Sequence, residues 1–372
     1  MELVINQSVI RTLECENNYR KPSFHTIAPY IGKLRPELVR VLINKYSSNS
    51  HIIYDPFCGS GTVLLEAWIM GRETVGVDLN YYAVILSKAK LFPHPSLDIA
   101  TKHLEECATL VDSLKKSYFH IDNIPEWVSK FFHRETLKEI SIWMDVLKNK
   151  EEFFLMACLL GILHHQRPGF LSFPSSNGAP YLRNEKYPIS EYPAMYEYRN
   201  VYERLSKKVI RSYRELPRLD FSIKRDVHYM NTLEFRTKPR KDFTIITSPP
   251  YMKSLTYARD NRLRLWFLGV SDWMGLDKSI SVNKKDFFIL IKNCFMKWSN
   301  MQNSGNHCIL VLGDIVFDKN RKQSLPDLIC AQAEESNYTL VDIFDDPIDR
   351  ARKVVKTDSK IKAEKICIFQ RR

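Results

Sequence analysis

The stretch that decides the fold is HIIYDPFCGSGTVLLEAWIMGRETVGVDLN, residues 51–80. HIIYD is a short apolar run that ends in Asp55, and a turn with two glycines separates it from an apolar segment with helical spacing. A second apolar run, ETVGVDLN, contains Asp78 near its end. Strand, turn, helix and second strand in this order predict a βαβ unit, the building block of a parallel sheet.

The turn between the first strand and the helix, DPFCGSGT at residues 55–62, predicts a ligand site. Glycines let a backbone approach a ligand closely, and free amide groups point outward at a helix N-terminus. The turn has neither the Gly-Lys-Ser/Thr of a Walker loop nor a complete GxGxxG. Asp78 ends the second strand, where a carboxylate can accept both hydroxyls of a ribose. The pair predicts a nucleoside-containing cofactor, although a tight turn followed by a capping aspartate fits the same letters.

The rest of the chain predicts a continuation of the same sheet after a long insertion. Residues 91–165 have helical spacing without strand signals, and strand character returns in FTIIT (243–247), HCILVLGD (307–314), TLVDIF (339–344) and KICIFQ (365–370). We therefore expect a doubly wound α/β fold with a helical and irregular insertion. The predicted domains are residues 20–90 with 221–372, and the insertion 91–220.

Within the insertion, the segment from His164 to Asp220 has a different composition. It holds ten Lys/Arg against six Asp/Glu, nine Phe/Tyr and six of the 18 prolines of the chain. Basic and aromatic residues among prolines are typical of an ordered but irregular binding segment. The net charge of the whole chain, +12, also favours a polyanionic partner such as nucleic acid.

Cysteine spacing and hydropathy predict the compartment. The eight cysteines form no CxxC pair, which excludes an obvious thiolate zinc cluster and gives no sign of a disulfide framework. No charged-then-apolar leader opens the chain, and the longest apolar stretch, Phe153 to Leu163, is too short to span a bilayer. His164 and His165 lack metal-ligand spacing. We expect a cytosolic protein without a metal or a membrane partner.

A second candidate site is TSPPY, residues 247–251, which ends the predicted strand FTIIT. Open α/β sheets place their ligands at this end of a strand, and two prolines make the backbone rigid. Ser248 offers a hydroxyl, Pro249 a carbonyl, and Tyr251 an aromatic face for a planar base. The segment predicts a rigid support that grips an exocyclic amine, although a simple turn has the same sequence.

These motifs together resemble those of the amino-group DNA methyltransferases, in which DPFCGSGT is similar to motif I, GVDLN to motif II and TSPPY to the catalytic motif IV. The resemblance implies a Rossmann-like methyltransferase sheet with S-adenosylmethionine as cofactor. It implies catalytic roles for Ser248, Pro249, Pro250 and Tyr251. It implies cofactor contacts for Asp55, Phe57, Gly59, Gly61, Thr62 and Asp78. Motif I precedes motif IV, as in the γ-type arrangement, and the absence of a Pro-Cys dipeptide argues against cytosine C5 chemistry.

Further segments resemble the same family. Residues 24–47 are similar to motif X, which implies that His25, Pro29 and Tyr30 line the methionine end of the cofactor pocket; an amphipathic helix with a polar entry loop is the alternative. Asn231 stands where relatives often carry Gly-Asp near the adenine of the cofactor. The helix after SPPY, residues 257–269, and the segment 164–176 are similar to DNA-facing parts of the family. Phosphate contacts are expected from Tyr257, Arg259, Arg262, Arg264 and Arg167, unless these residues form only a solvated basic face.

The resemblance implies a function. A Ser-Pro-Pro-Tyr motif is typical of enzymes that methylate N4 of cytosine, so we expect a site-specific DNA methyltransferase acting on duplex DNA with a flipped target base. Residues 164–218 are the predicted target-recognition segment. We expect the modification enzyme of a restriction-modification system in a prokaryotic cytosol, with a separate cognate endonuclease. Adenine N6, a base amine in RNA, and a DNA-binding subunit without turnover are the alternatives.

Overall fold

The structure is a computed structural model, and it describes residues 12–13, 19–116, 124–176, 178–237, 241–250, 256–280, 283–313, 316–318, 323–347 and 363–372. Tyr251, part of the candidate catalytic motif, lies outside the described residues. No helix within these ranges is both long enough and apolar enough to cross a membrane.

The centre of the fold is a seven-stranded sheet. Its strands are β1 (Ile52–Asp55), β2 (Thr74–Asp78), β3 (Arg225–Tyr229), β4 (Phe243–Thr247), β5 (His307–Gly313), β8 (Tyr338–Pro347) and β9 (Ala363–Arg371). The order across the sheet is β3-β2-β1-β4-β5-β9-β8, and β9 alone runs antiparallel to both of its neighbours. Two short strands, β6 (Val316–Asp318) and β7 (Gln323–Ser324), pair separately. The predicted doubly wound α/β class is confirmed.

Helices cover both faces of this sheet. They are α1 (Pro36–Tyr46), α2 (Thr62–Ile69), α3 (Tyr81–Leu91), α9 (Tyr257–Asp260), α10 (Arg262–Phe267), α11 (Trp273–Ile280), α12 (Lys284–Met301) and α13 (Leu325–Glu335). Successive strand residues point to opposite faces. Ile53 therefore belongs to the core under α1 and α2, whereas Tyr54 belongs to the core under α12 and α13.

The strand order reverses between β1 and β4, which are parallel neighbours. In open α/β sheets this switch point leaves a crevice at the carboxyl ends of the strands, where ligands bind. Asp55 ends β1, Asp78 ends β2 and Thr247 ends β4. The two candidate motifs of the sequence therefore meet at one edge of the sheet.

Among the described residues of the insertion between α3 and β3 there are five α-helices: α4 (Leu97–Leu114), α5 (Glu126–Ser129), α6 (Arg134–Asn149), α7 (Phe153–Gly161) and α8 (Val201–Ser212). Their buried side chains share one hydrophobic cluster with α2 and α3; Trp68, Ile85, Trp143 and Leu155 are all members of it. This shared core fixes the inserted helices to the sheet. The division into two domains stays a prediction.

Two local expectations were wrong. The segment 164–220 is not irregular throughout, because α8 is a regular helix that buries every fourth residue, namely Val201, Leu205 and Val209. Asn200 caps this helix by accepting a hydrogen bond from the Glu203 amide at 2.9 Å. The average composition of the segment concealed both the apolar spacing of this helix and its capping asparagine. The edge strand β3 was also missed, since RDVHY is too polar to stand out as a strand.

Gly161, the last residue of α7, permits a close backbone approach that a larger residue would prevent. A Cβ atom there would lie 2.2 Å from the carbonyl oxygen of Ile27. We expect Gly161→Ala to lower the free energy of unfolding by about 1–3 kcal/mol, because backbone must move to relieve the clash. Urea unfolding measures this loss. Gly178→Ala is the matched control, since its Cβ would meet nothing within 4 Å; equal stability of the two variants would contradict the prediction.

Candidate active site

A cleft of about 770 Å³, including space open to solvent, lies at the carboxyl ends of β1, β2 and β4. It is bounded by the motif I loop, the end of β2, the residues after β3 and the start of the TSPPY segment. The predicted site residues that line it are Tyr30, Phe57, Gly59, Asp78, Asn231, Ser248, Pro250 and Tyr257. The tertiary structure thus brings together eight of the predicted site residues.

The motif I loop is held by its own backbone and by its neighbours. The Cys58 amide donates to the Val77 carbonyl at 3.0 Å, and the Gly61 amide donates to the Cys58 carbonyl at 2.7 Å. Gly61 has a φ of 71°, and a Cβ there would lie 2.7 Å from Ser87 Oγ. Only glycine fits this turn without strain. Cys58 is buried with its Sγ 3.6 Å from Ser87 Oγ, so it packs within the loop.

Asp78 accepts two backbone hydrogen bonds at the edge of the cleft. Its Oδ2 accepts from the Gly59 amide and its Oδ1 from the Asn80 amide, both at 2.8 Å. Asn80 in turn caps α3 by accepting from the Tyr82 amide at 3.1 Å. Each carboxylate oxygen has a second lone pair for a ligand hydroxyl. Burial raises the pKa of Asp78 to about 6, against the effect of the backbone donors.

Asp55, at the end of β1, contacts the end of β4 on the other side of the switch point. Its Oδ1 accepts from Thr247 Oγ1 at 2.6 Å and from the Phe57 amide at 3.2 Å, so β1, the loop and β4 share one carboxylate. Burial raises the pKa of Asp55 to about 7, and the nearby Asp78 carboxylate raises it further. The side chain positions the loop and TSPPY relative to each other.

This buried carboxylate makes stability depend on pH. The pKa of Asp55 rises from 3.8 to about 7 on folding, so the folded protein holds the proton more tightly. The resulting stabilisation is complete below about pH 4 and is lost as pH rises toward 7. The side chain of Asp55→Asn cannot ionise. As pH rises across this window, we expect the unfolding free energy of the variant to increase relative to that of the wild type, by up to about 1.4 kcal/mol per pH unit. Urea unfolding at about pH 5 and pH 8 measures the difference, and a pH-independent difference would contradict the assignment.

Tyrosines form one wall of the cleft. The ring centroids of Tyr30 and Tyr257 lie 6.3 Å apart, and those of Tyr30 and Tyr82 lie 6.1 Å apart. The Tyr82 hydroxyl donates to the Pro29 carbonyl at 2.9 Å, which fixes the segment that carries Tyr30. Tyr30 and Tyr257 both line the cleft. Pro29 contributes a backbone contact to this wall and does not line the cleft.

The structure does not bring His25 into the cleft. Its Nε2 lies 2.6 Å from Glu66 Oε1, and the Tyr19 hydroxyl donates to the same oxygen at 2.5 Å. Burial, with nearby lysines, lowers the pKa of His25 well below its ordinary value. His25 therefore holds the N-terminal segment against α2 instead of facing a ligand.

A second cavity of about 300 Å³ adjoins the first and shares Phe57, Gly59 and Ser248 with it. Lys33, Ser60 and Thr62 also line it. The Thr62 hydroxyl is buried and has no hydrogen-bond partner among the described residues. Lys33 donates to the carbonyls of His25 and Ala28 at 3.2 and 3.0 Å, and burial with nearby cations lowers its pKa to about 7. Lys33 and Ser60 were missed by the sequence analysis.

The TSPPY segment faces both cavities. Ser248 lines both, Pro250 lines the larger one, and Pro249 is buried. Thr247 is occupied by its bond to Asp55. Ser248 and Pro250 thus line the same cleft as Asp78.

Comparison with known proteins relates one part of the chain to a family. Residues 13–89 match the family model N6_N4_Mtase, described as DNA methylase. The predicted resemblance to the amino-group DNA methyltransferases is confirmed over this part of the chain. The expected cofactor, S-adenosylmethionine, is also confirmed, because proteins of this family depend on it.

Relatives of this methyltransferase family align with limited parts of the chain. The Type II methyltransferase M.MjaII of Methanocaldococcus jannaschii is 36% identical over 72 residues, 19% of this chain and 14% of that protein. M.MvaI of Kocuria varians, also a Type II methyltransferase, is 31% identical over 140 residues, 36% and 30% of the two chains. The tRNA (guanine(10)-N2)-dimethyltransferase of Methanothermobacter thermautotrophicus is 36% identical over 67 residues, 18% of each. The chain spans less than a third of each relative.

The arginines expected to contact phosphate have different environments. Arg264 is fully buried: its Nε donates to the Leu160 carbonyl and its Nη1 to Asn261 Oδ1, both at 3.1 Å. The expectation that Arg264 contacts phosphate is therefore wrong, because α10 turns this position toward α7. Arg262 donates to the Pro180 carbonyl at 2.6 Å and lies 4.8 Å from the Tyr181 ring centroid. Arg259 and Arg167 are exposed.

His164 and His165 have structural positions in the insertion. His164 is fully buried with its Nδ1 3.2 Å from the Ser176 carbonyl. His165 Nδ1 accepts from the Arg167 amide at 2.9 Å, which shapes the turn that exposes Arg167. Neither imidazole lies in the cleft.

Proposed function

We propose that the protein transfers a methyl group from S-adenosylmethionine to the exocyclic N4 amine of cytosine in duplex DNA. One observation carries the proposal: Asp78 and Ser248 line the same cleft at the switch point of the sheet. A carboxylate suited to a ribose and an oxygen suited to a base amine therefore share one cleft, which supports the proposal. S-adenosylmethionine, when bound, supplies an electrophilic methyl group on its sulfonium.

The residues of the larger cleft fit the nucleoside part of this cofactor. The remaining lone pairs of Asp78 can accept the two ribose hydroxyls. Tyr30 and Phe57 offer aromatic surface for an adenine, and Asn231 supplies polar groups beside it. In this assignment Asn231 replaces the Gly-Asp pair that is frequent in the family.

The smaller cavity fits the amino-acid end of the cofactor. The unpartnered hydroxyl of Thr62 is an orphaned buried group that a bound carboxylate or ammonium would satisfy. Lys33 and Ser60 add a cation and a second hydroxyl at the same wall. Gly59 and Gly61 let the ligand approach the loop backbone at the start of α2.

The TSPPY segment supplies the chemistry at the amine. An aromatic amine is a weak nucleophile because its lone pair is delocalised into the ring. The oxygen of Ser248 and the carbonyl of Pro249 accept the amino hydrogens and stabilise positive charge as it develops on nitrogen. Pro250 keeps these acceptors in place, and Tyr251 stacks on the flipped base. The methylated nitrogen then loses its proton to water, so no strong base is needed.

Several features favour duplex DNA as the substrate. The net charge of +12 suits a polyanion. Arg167 and Arg259 are exposed, and Tyr257 and Arg262 are half-buried, so all four remain candidates for contact with DNA. Arg262 joins α10 to residues 180–181, so part of segment 164–218 lies beside the helix that follows the catalytic motif. Two relatives are named Type II methyltransferases, which suits modification alongside a separate restriction endonuclease in a prokaryotic cytosol.

The deciding experiment identifies the methylated product. The full-length protein is incubated with tritiated S-adenosylmethionine and either duplex DNA or structured RNA, and the product is digested to nucleosides for mass analysis. N4-methylcytosine from DNA is the expected product. N6-methyladenine would overturn only the choice of base, because both bases present the same kind of amine. Absence of incorporation into either polymer would overturn the proposal.

A base amine in RNA is the second candidate. It is favoured by the similarity to a tRNA (guanine(10)-N2)-dimethyltransferase, which matches this chain with the same identity as M.MjaII does and over a similar length. The motif chemistry is shared, since the acceptors of TSPPY act on any exocyclic amine. Preferential incorporation into RNA in the same experiment would select this candidate.

The target-recognition role of residues 164–218 gives a further prediction. Recognition of a sequence in duplex DNA needs side chains that reach the base edges in a groove. Replacing this segment by the equivalent segment of a relative should therefore change the DNA sequence that is methylated. The graft should replace residues 164–200 and keep α8, whose apolar side belongs to the core. Sequencing of methylation sites is the readout, and unchanged cofactor affinity is the control. A folded, active chimera that keeps the original target would place recognition elsewhere.

A further inference from the structure

Two histidines and a glutamate meet at the end of α3 that is remote from the cleft. His94 lies in the loop between α3 and α4, His103 lies on α4, and Glu152 directly precedes α7. α3 begins beside Asn80 and extends for 11 residues, about 16 Å, before this loop. The cluster therefore has no part in the methyl-transfer site.

The three side chains present their ligand atoms to one another. His103 Nδ1 lies 2.7 Å from Glu152 Oε1, and His94 Nε2 lies 3.0 Å from Glu152 Oε2. One ligand atom from each residue falls within 4.8 Å of the other two. The two imidazole ring centroids are only 4.2 Å apart. Zinc binds nitrogen and oxygen at about 2.0–2.2 Å, so two of its ligand atoms lie at most about 4.4 Å apart, and a small side-chain movement brings all three groups to a single ion.

Hydrogen bonding within the cluster leaves one nitrogen unsatisfied. His103 Nδ1 is hydrogen bonded to Glu152 Oε1. His94 Nε2 is buried and, despite its proximity to Oε2, does not have the alignment of a hydrogen bond; it has no other partner among the described residues. Buried polar nitrogens are rarely left in this state. A close but misaligned nitrogen and oxygen are the arrangement expected of two ligands directed at a common ion.

The surrounding backbone holds the three residues in place. Pro93 and Pro95 flank His94, and its carbonyl accepts from the Tyr213 hydroxyl at 2.8 Å. Glu151 has a φ of 53°, in the left-handed region that is unfavourable for a non-glycine residue. This turn directs Glu152 toward the histidines. The His103 side chain is 39% exposed, which gives an ion access from solvent.

We propose that His94, His103 and Glu152 form a zinc site that fastens the inserted helices together. Two imidazoles and one carboxylate form a common ligand set of zinc, whereas magnesium and calcium prefer oxygen ligands. A water molecule completes the fourth position. The ion links the loop after α3 to α4 and α7, so its role is structural. Sequence spacing alone gives no sign of this site, because its ligands come from three separate segments.

The test uses the full-length protein after treatment with a chelator. Zinc is titrated in competition with a chromophoric zinc indicator, and we expect one equivalent to bind. Glu152→Gln keeps the shape of the side chain but loses the charge, and His103→Ala loses a ligand. Each should weaken zinc binding by more than the ~10–100-fold that loss of an outer-sphere partner costs. Wild-type protein should also melt at a higher temperature with zinc than without it.

The matched control is His228→Ala. His228 Nε2 lies 3.1 Å from Asp226 Oδ2, so this is a histidine–carboxylate pair without a third ligand. Zinc affinity should be unchanged in that variant. Failure of the wild type to bind a stoichiometric ion, or wild-type affinity in Glu152→Gln, would overturn the proposal. Neither result depends on methyl transfer, so the zinc site and the proposed function can fail separately.

Discussion

Asp78→Asn is expected to weaken S-adenosylmethionine binding by at least about 100-fold. The Asp78 carboxylate is held by the Gly59 and Asn80 amides at the edge of the cleft, with lone pairs left for two ribose hydroxyls. A hydrogen bond to a charged group contributes about 1.5–3 kcal/mol, so loss of the charge toward two hydroxyls accounts for this effect. In Asp78→Asn, the side-chain NH2 group also replaces an oxygen that accepts a hydrogen bond from a backbone amide. Isothermal titration calorimetry measures the dissociation constant.

The pH dependence of binding tests the same assignment. Hydroxyl donors favour the ionised carboxylate, and the pKa of Asp78 in the free protein is about 6. Wild-type affinity should therefore fall as pH drops below about 6, while the affinity of Asp78→Asn should not respond to this group. Asp226→Asn, a carboxylate on the neighbouring strand β3, is the control and should bind as the wild type does. An unchanged dissociation constant in Asp78→Asn would remove Asp78 from the cofactor site.

Variants of TSPPY are expected to lose catalysis while they still bind the cofactor. Tyr251→Ala should lose about 1–3 kcal/mol of base stacking, which corresponds to about a ten- to hundredfold slower reaction. Ser248→Ala removes one acceptor for the amino group but leaves the Pro249 carbonyl, so a large loss with residual turnover is expected. Pro249→Ala loosens the rigid segment. Single-turnover methylation of a duplex measures the rate, and calorimetry measures cofactor affinity.

The control for these variants is Ser50→Ala, an exposed serine just before the amino end of β1. It removes a hydroxyl on the opposite edge of the sheet from the cleft and should leave the rate unchanged. If Tyr251→Ala methylates DNA at the wild-type rate, TSPPY is only a turn. If Ser248→Ala loses cofactor affinity together with rate, Ser248 binds the cofactor and is not specific to the amine.

Short stretches of sequence were enough to predict the parts of the fold whose conformation depends on neighbouring residues. Apolar runs that end in Asp55, Asp78 and Thr247 predicted β1, β2 and β4, because a short buried strand needs only its own residues to be recognised. The glycine turn at residues 55–62 was also predictable, since its conformation follows from residue type. Parallel strands of one sheet bring their carboxyl ends together, so the proximity of both motifs followed from order alone.

The tertiary structure alone decided which side chains of a motif face the cleft. Arg259 and Arg264 lie on adjacent short helices, yet Arg264 is buried against α7 and Arg259 is exposed to solvent. His25 and Tyr30 are close in sequence, but His25 contacts Glu66 on α2 and lies outside the cleft, whereas Tyr30 lines it.

Long-range contacts decided the rest. The grouping of His94 with Glu152 depends on how α3, α4 and α7 pack in one core. Local spacing specifies backbone conformation, whereas burial and partners are set by contacts between residues far apart in the chain. A motif therefore predicted where the site lies, and the packing of helices around it decided which residues belong to it.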